Sequence, residues 1–194
     1  MRRALIGDGG HAREIMSQMG ETLTRFVDDE YYKNNDPLVL PLSKFSPLDF
    51  EIMIAVGSSE ERESIALRLP PETLYFSYKH HTALILGDCK LGIGYFIGAN
   101  CILTTDIEIG DHLLLNRGNH IGHDCKIGNF FSAMPGSIVS GNVTIGERVY
   151  LGTNSSIREK ITVCDDVTIG LNTGIVKNIH SSGIYAGSPT RKIR

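Results

Sequence analysis

From Ile85 to Ile175 every sixth residue is aliphatic, through sixteen consecutive hexads with no insertion or deletion. The series begins Ile85, Leu91, Ile97, Leu103 and ends Val163, Ile169, Ile175, with Ala133 its smallest member. In eight hexads the next residue is Gly, and in twelve the third residue on is Asp, Asn or Gly. Those three residue types tolerate positive φ. A period of six suits neither an amphipathic helix nor an alternating strand. It suits short strands with a corner after each, a hexapeptide β-helix in which three hexads close one triangular coil. Sixteen hexads make about five coils at a strand spacing of ~4.8 Å, a prism roughly 25 Å tall. One coil exposes its ladder groups above and below, so stacking is obligatory. The aliphatic residue points inward, and so does the residue four later, which is often small: Cys89, Cys101 and Cys125 share that slot.

The first 78 residues read differently. Short apolar runs at Arg3–Ile6, Leu23–Val27, Glu51–Val56 and Leu74–Phe76 alternate with helical patterns after Gly10 and over Glu60–Leu69. Gly20 and Pro70-Pro71 stop the two helices, and Ser58 or Ser59 caps the second. Strand alternating with helix predicts a small parallel α/β domain. The expected organisation is therefore mixed: a Rossmann-like α/β domain over 1–78, then a parallel β-helix over 79–194 ending in a short Gly- and Pro-broken tail.

Net charge of −3 with interspersed signs argues against a nucleic-acid footprint. No apolar run approaches eighteen residues, so no membrane span is expected, and MRRALIGDGG does not read as a signal peptide. The four cysteines contain no CxxC, which suits packing in a reducing cytoplasm.

The turn after the first strand, Gly7-Asp8-Gly9-Gly10-His11-Ala12, fits G-x-G-x-x-A, with Asp28-Asp29 about twenty residues on. Glycines let a backbone approach phosphate, a helix N-terminus attracts it, and a carboxylate binds a hydroxyl. A plain βα turn needs glycine too. A domain of 78 residues builds one mononucleotide half, so a nucleotide-linked ligand is expected rather than NAD.

Seven histidines occur. His112 and His180 occupy ordinary outward slots and are expected in solvent. His123 stands at a corner, two places past Ile121, where no other hexad has His. Asp124 follows in the turn slot. Gly141 comes eighteen residues after His123, so it lies on the same edge one coil on, about 5 Å away. Thr153 and Leu171 hold the same slot in later hexads and are expected to continue that edge. A base beside a backbone N–H donor suits acyl transfer.

At these residues the chain resembles the hexapeptide-repeat acyltransferases, and within them the PglD/NeuD sugar acetyltransferases. The resemblance rests on G-D-G-G-H-A, F-V-D-D, A-V-G-S-S-E-E-R, L-N-R-G-N-H-I-G-H-D-C-K-I-G, S-G-N-V-T-I-G and the closing Y-A-G-S-P-T-R. It implies a left-handed β-helix, a homotrimer with active sites between subunits, acetyl-CoA as co-substrate, and no metal. It implies His123 as general base, Asp124 as its orienting acid, Asn116 as an active-site amide, and Gly141 as the amide facing the thioester carbonyl. Thr153 and Leu171 are implied to contact coenzyme A through backbone. Gly9, Gly10, His11, Asp28, Asp29 and Gly57 are implied to line the sugar-nucleotide cleft. The expected reaction is N-acetylation of a nucleotide-linked amino sugar of the UDP-4-amino-4,6-dideoxy type, for surface glycan or glycoprotein biosynthesis. O-acetylation of a sialic acid or related sugar and a non-catalytic assembly module are the alternatives. Two departures stand out: Ser132 where some relatives have a second His, and Arg117-Gly118-Asn119 where small residues are usual after the Asn.

Overall fold

A computed structural model describes residues 1–194. The N-terminal domain is a five-stranded parallel sheet of β1 (Arg2–Ile6), β2 (Thr24–Val27), β3 (Val39–Pro41), β4 (Phe50–Ile54) and β5 (Leu74–Tyr75). Its order is β3-β2-β1-β4-β5. Helix α1 (Gly10–Met19) follows β1 and helix α2 (Ser59–Arg68) follows β4. Gly20 ends α1 in the left-handed region at φ 69°, its N–H donating to the Met16 carbonyl, as a glycine at a helix C-terminus commonly does. The Ser58 side chain accepts from the Glu61 N–H and caps α2. Strand β3 falls where the sequence reads as loop. It is a three-residue edge strand ending in proline, a position where a missing N–H costs no ladder bond.

From Tyr78 the chain winds into a triangular prism. Its first face stacks strands from Tyr78–Lys79 through Val167–Ile169, its second from Leu84–Ile85 to Gly174–Ile175, and its third from Cys89–Leu91 to Thr162–Val163. Register is eighteen residues throughout: Leu103 pairs with Ile121, and Ile121 with Val139. From Ile97 onward the hexad aliphatics and most of the residues four later fill one continuous core, with Cys101 and Cys125 fully buried and all four cysteines free; Ile85, at the open first coil, is exposed rather than inward. This is the left-handed β-helix of hexapeptide-repeat proteins.

The turn slot adopts positive φ in fourteen of sixteen hexads. Asn, Asp or Gly supplies it in ten, but His112, Phe130, Arg148 and Lys160 adopt it as well. The coil geometry therefore imposes the conformation, and the sequence only lowers its cost.

The small domain rests on the first face. Gln18 of α1 reaches the prism, its side-chain oxygen accepting from the Ala99 N–H at 2.8 Å, and Tyr78 Oη donates to the Gln18 carbonyl at 2.6 Å. Arg62 of α2 is the central pin. It is 2% exposed and faces no carboxylate. Its guanidinium donates to the carbonyls of Val56, Gly57, His112 and Phe130 and to Ser132 Oγ, all within 3.2 Å. Burial pushes its pKa down to about 9. Ser132 completes the joint, donating to the Gly57 carbonyl at 2.9 Å. Ser132 is thus an interdomain contact.

His112 corrects an expectation. It is 6% exposed, stacked on Phe130 at 4.9 Å and edge-on to Tyr75 at 4.6 Å. Periodicity marks its slot as outward, but outward there means toward the small domain. Burial lowers its pKa to about 4.

Candidate active site

Two edges of the prism carry the candidate residues. On the edge between second and third faces the turn column runs Thr105, His123, Gly141. The Asp124 N–H donates to the Thr105 carbonyl, the Asn142 N–H to the His123 carbonyl, and the Lys160 N–H to the Gly141 carbonyl. Asp124 takes φ 59°, which turns its carboxylate beside the imidazole of the preceding residue. His123 Nδ1 lies 2.6 Å from Asp124 Oδ2. A carboxylate at that distance holds the proton on Nδ1 and leaves the Nε2 lone pair free as a base. Nε2 lies over Gly141: a Cβ there would sit 2.7 Å from it. The Gly141 N–H makes no hydrogen bond within the chain. His123 is 57% exposed, so base and amide both open to solvent. Cys125 next to them points inward, its thiol donating to the Ser140 carbonyl at 3.2 Å. Burial pushes that thiol's pKa up, which leaves it a poor nucleophile.

Asn116 sits on the other edge, between first and second faces, with Arg117, Pro135, Thr153 and Leu171 stacked in one column. The Gly136 N–H donates to the Arg117 carbonyl, the Asn154 N–H to Pro135 and the Asn172 N–H to Thr153. Thr153 and Leu171 therefore do not continue the His123 edge, contrary to expectation. Their hexads start 30 and 48 residues after Ile121, which are not multiples of eighteen. The His123 edge continues instead through Glu159, which follows Gly141 by eighteen residues. Within one chain Asn116 and His123 are on different corners. Asn116 is buried, its Oδ1 accepting from the Arg117 N–H at 2.8 Å and its Nδ2 donating to Glu14 of α1 at 3.4 Å.

A cavity of about 700 Å³ opens in the small domain at the carboxyl ends of β1, β2 and β4. In open parallel sheets ligands bind there, where the strand order reverses. Gly9 and Asp28 line it, together with Gly7, Asp8, Lys33 and Arg68. Gly7 is required as glycine: its φ is 111°, and a Cβ would meet the Ala55 carbonyl at 3.0 Å. Asp28 is held by Arg68 through two hydrogen bonds, of 2.9 and 3.2 Å. Gly10, His11, Asp29 and Gly57 are not among its lining residues. Asp29 accepts instead from the Ser43 N–H, which with the Ser43 hydroxyl holds its carboxyl below the usual range. The Gly57 carbonyl serves Arg62 and Ser132. His11 packs edge-on to Phe96, and burial lowers its pKa against the opposing pull of Glu14. Lys33 and Arg68 were not singled out from sequence: isolated cations in a loop and at a helix end carry no spacing signal.

No group of His, Cys, Asp and Glu is arranged to hold a metal ion, and no helix is long and apolar enough to cross a membrane.

The chain is similar to several known proteins. Residues 3–69 match the PglD N-terminal domain model. The chain is 26% identical over 180 residues to a GDP-perosamine N-acetyltransferase of Escherichia coli O157:H7, covering 81% of this chain and 78% of that one. It is 30% identical over 106 residues to a UDP-3-O-acylglucosamine N-acyltransferase of Bordetella pertussis, where the match spans 53% of this chain and only 29% of that protein. The acetyltransferase domain of PglB from Neisseria gonorrhoeae, in complex with acetyl coenzyme A, superposes over 98% of both chains with a TM-score of 0.83 and 28% identity. The prism is the fold of the hexapeptide-repeat acyltransferases. Its N-terminal domain matches that of PglD, and over most of its length the chain is similar to amino-sugar N-acetyltransferases.

Proposed function

We propose that this protein transfers the acetyl group of acetyl-CoA to the amine of a nucleotide-linked amino sugar. The observation that carries the reading is His123 Nε2 poised over Gly141 with Nδ1 held by Asp124. The acceptor amine attacks the thioester carbonyl carbon. His123 takes the amine proton on Nε2 while Asp124 stabilises the imidazolium. The Gly141 N–H donates to the oxyanion that develops on the former carbonyl oxygen. Collapse of the tetrahedral intermediate breaks the C–S bond, and the imidazolium proton passes to the departing thiolate. The amide product and coenzyme A are released.

The small domain covers the first face, and His123 lies on the edge opposite that face. This supports a homotrimer in which one subunit supplies His123, Asp124 and Gly141, and its neighbour supplies Asn116 and the nucleotide cleft. Thr153 and Leu171, on the neighbour's edge, then flank coenzyme A from the other side of the groove. The cavity at the strand ends favours a nucleotide-linked acceptor over a free sialic acid. Gly9 and Asp28 contribute to that cleft directly. Gly10 and His11 form the first turn of α1 next to Gly9, and Asp29 and Gly57 follow the lining residues Asp28 and Val56 in the chain.

Coupled thiol release with acetyl-CoA against UDP-, GDP- and dTDP-linked 4-amino-4,6-dideoxyhexoses tests the reading. Turnover with at least one of them is expected. Turnover only with free sialic acid, or none at all, would contradict it.

A further inference from the structure

Where α1 meets the edge between first and second faces, four polar side chains converge. Glu14 projects from α1 about one helical turn, ~5.4 Å, beyond the end that faces the cavity. Its Oε2 accepts from Asn116 Nδ2 at 3.4 Å and lies 3.9 Å from His11 Nδ1, while its Oε1 pairs with the Arg117 guanidinium. The pair is not sealed, with Glu14 29% and Arg117 58% exposed. An ion pair so open to water adds little to stability. Both groups also keep unused valence. Arg117 engages through Nη1 alone, leaving the donors on Nε and Nη2 free. A carboxylate accepts about four hydrogen bonds, more than Glu14 receives here.

The position is as telling as the chemistry. Gly9, just before α1, lines the cavity, and Glu14 stands about one helical turn along the same helix, hydrogen-bonded to Asn116. Glu14 and Arg117 thus stand beside Asn116, one from each domain. We propose that Glu14 and Arg117 are specificity-determining residues for the acceptor sugar. Glu14 accepts a hydrogen bond from a sugar hydroxyl, and the free Arg117 donors bind a neighbouring sugar oxygen. This rests on the reading that the acceptor is a nucleotide-linked sugar.

Calorimetric titration of the full-length protein with the UDP-, GDP- and dTDP-linked 4-amino-4,6-dideoxyhexoses, and with UDP, GDP and dTDP alone, tests it. Glu14→Gln and Arg117→Gln are each expected to weaken the sugar-nucleotide Kd by about tenfold or more, with the bare diphosphate Kd unchanged. The charge-swapped double variant Glu14→Arg/Arg117→Glu is expected to stay weak for the sugar nucleotide, with unchanged thermal stability. Recovery of wild-type affinity in the swap would show a pair that only joins two domains, and would overturn the assignment. So would unaltered affinity in the single variants, or an equal loss for bare and sugar-linked nucleotide. Failure of the wild type to bind either ligand class would overturn the nucleotide-sugar reading itself, and this assignment with it.

Discussion

A single missing Cβ lets the proposed base, His123, lie over Gly141. At Gly141 any side chain would collide with the imidazole of His123, so Gly141→Ala should displace the base without disturbing the core. Its kcat is expected to fall about a hundredfold, in line with impaired general-base catalysis, while Tm stays within a few degrees. Thiol-release kinetics beside a thermal melt measure both, and unaltered turnover would detach the glycine from the chemistry. Arg62 acts at the same scale for stability. Its guanidinium satisfies carbonyls from both domains with no anion nearby. Arg62→Ala leaves those acceptors buried and unpaired and should cost about 3 kcal/mol or more, read by denaturant titration. A loss below about 1 kcal/mol would mean that water replaces the side chain.

Among the elements, the prism turns make two forecasts. Lys160 holds φ 59° in an exposed corner. Lys160→Asn supplies a residue that tolerates this region and should stabilise by about 0.5–1 kcal/mol. A decrease in denaturation midpoint would contradict that account of the turn. His112, wedged between Tyr75 and Phe130, contributes to acid sensitivity. Its folded pKa, near 4, lies below the unfolded value near 6.5, so between these values the unfolded chain binds the extra proton. Its contribution is complete above pH 6.5 and is lost as pH falls toward 4, by up to about 3 kcal/mol. His112→Phe has a precedent in Phe130, which takes the same turn conformation. It is expected to flatten the stability profile between pH 6.5 and 4, and an unchanged slope would assign the acid sensitivity elsewhere.

At the scale of the whole molecule, the β-helix was legible because a six-residue period admits so few solutions, and the corner histidine because its slot is otherwise empty of His. What faces what was not. Slot equivalence made Thr153 and Leu171 look like neighbours of His123, but only multiples of eighteen share an edge. His112 and Ser132 look outward in the repeat, and only the docking of α2 on the first face turns them into an interior. Strand β3 was hidden by its proline and its brevity. Arg62 closes the A-V-G-S-S-E-E-R motif, but its role was not legible there, because its partners are mostly backbone carbonyls from distant parts of the chain.

That arrangement leaves His123 on one edge and Asn116 on another, and the proposed site joins them between chains. The direct test mixes two inactive variants, His123→Ala and Asn116→Ala, refolded together in equal amounts, and measures thiol release. In a cyclic trimer with shared sites, about a quarter of the sites receive an intact residue from each side, so activity should return to about a quarter of wild type. Mixtures as silent as either variant alone would show that each site is built within one chain, and would contradict the account.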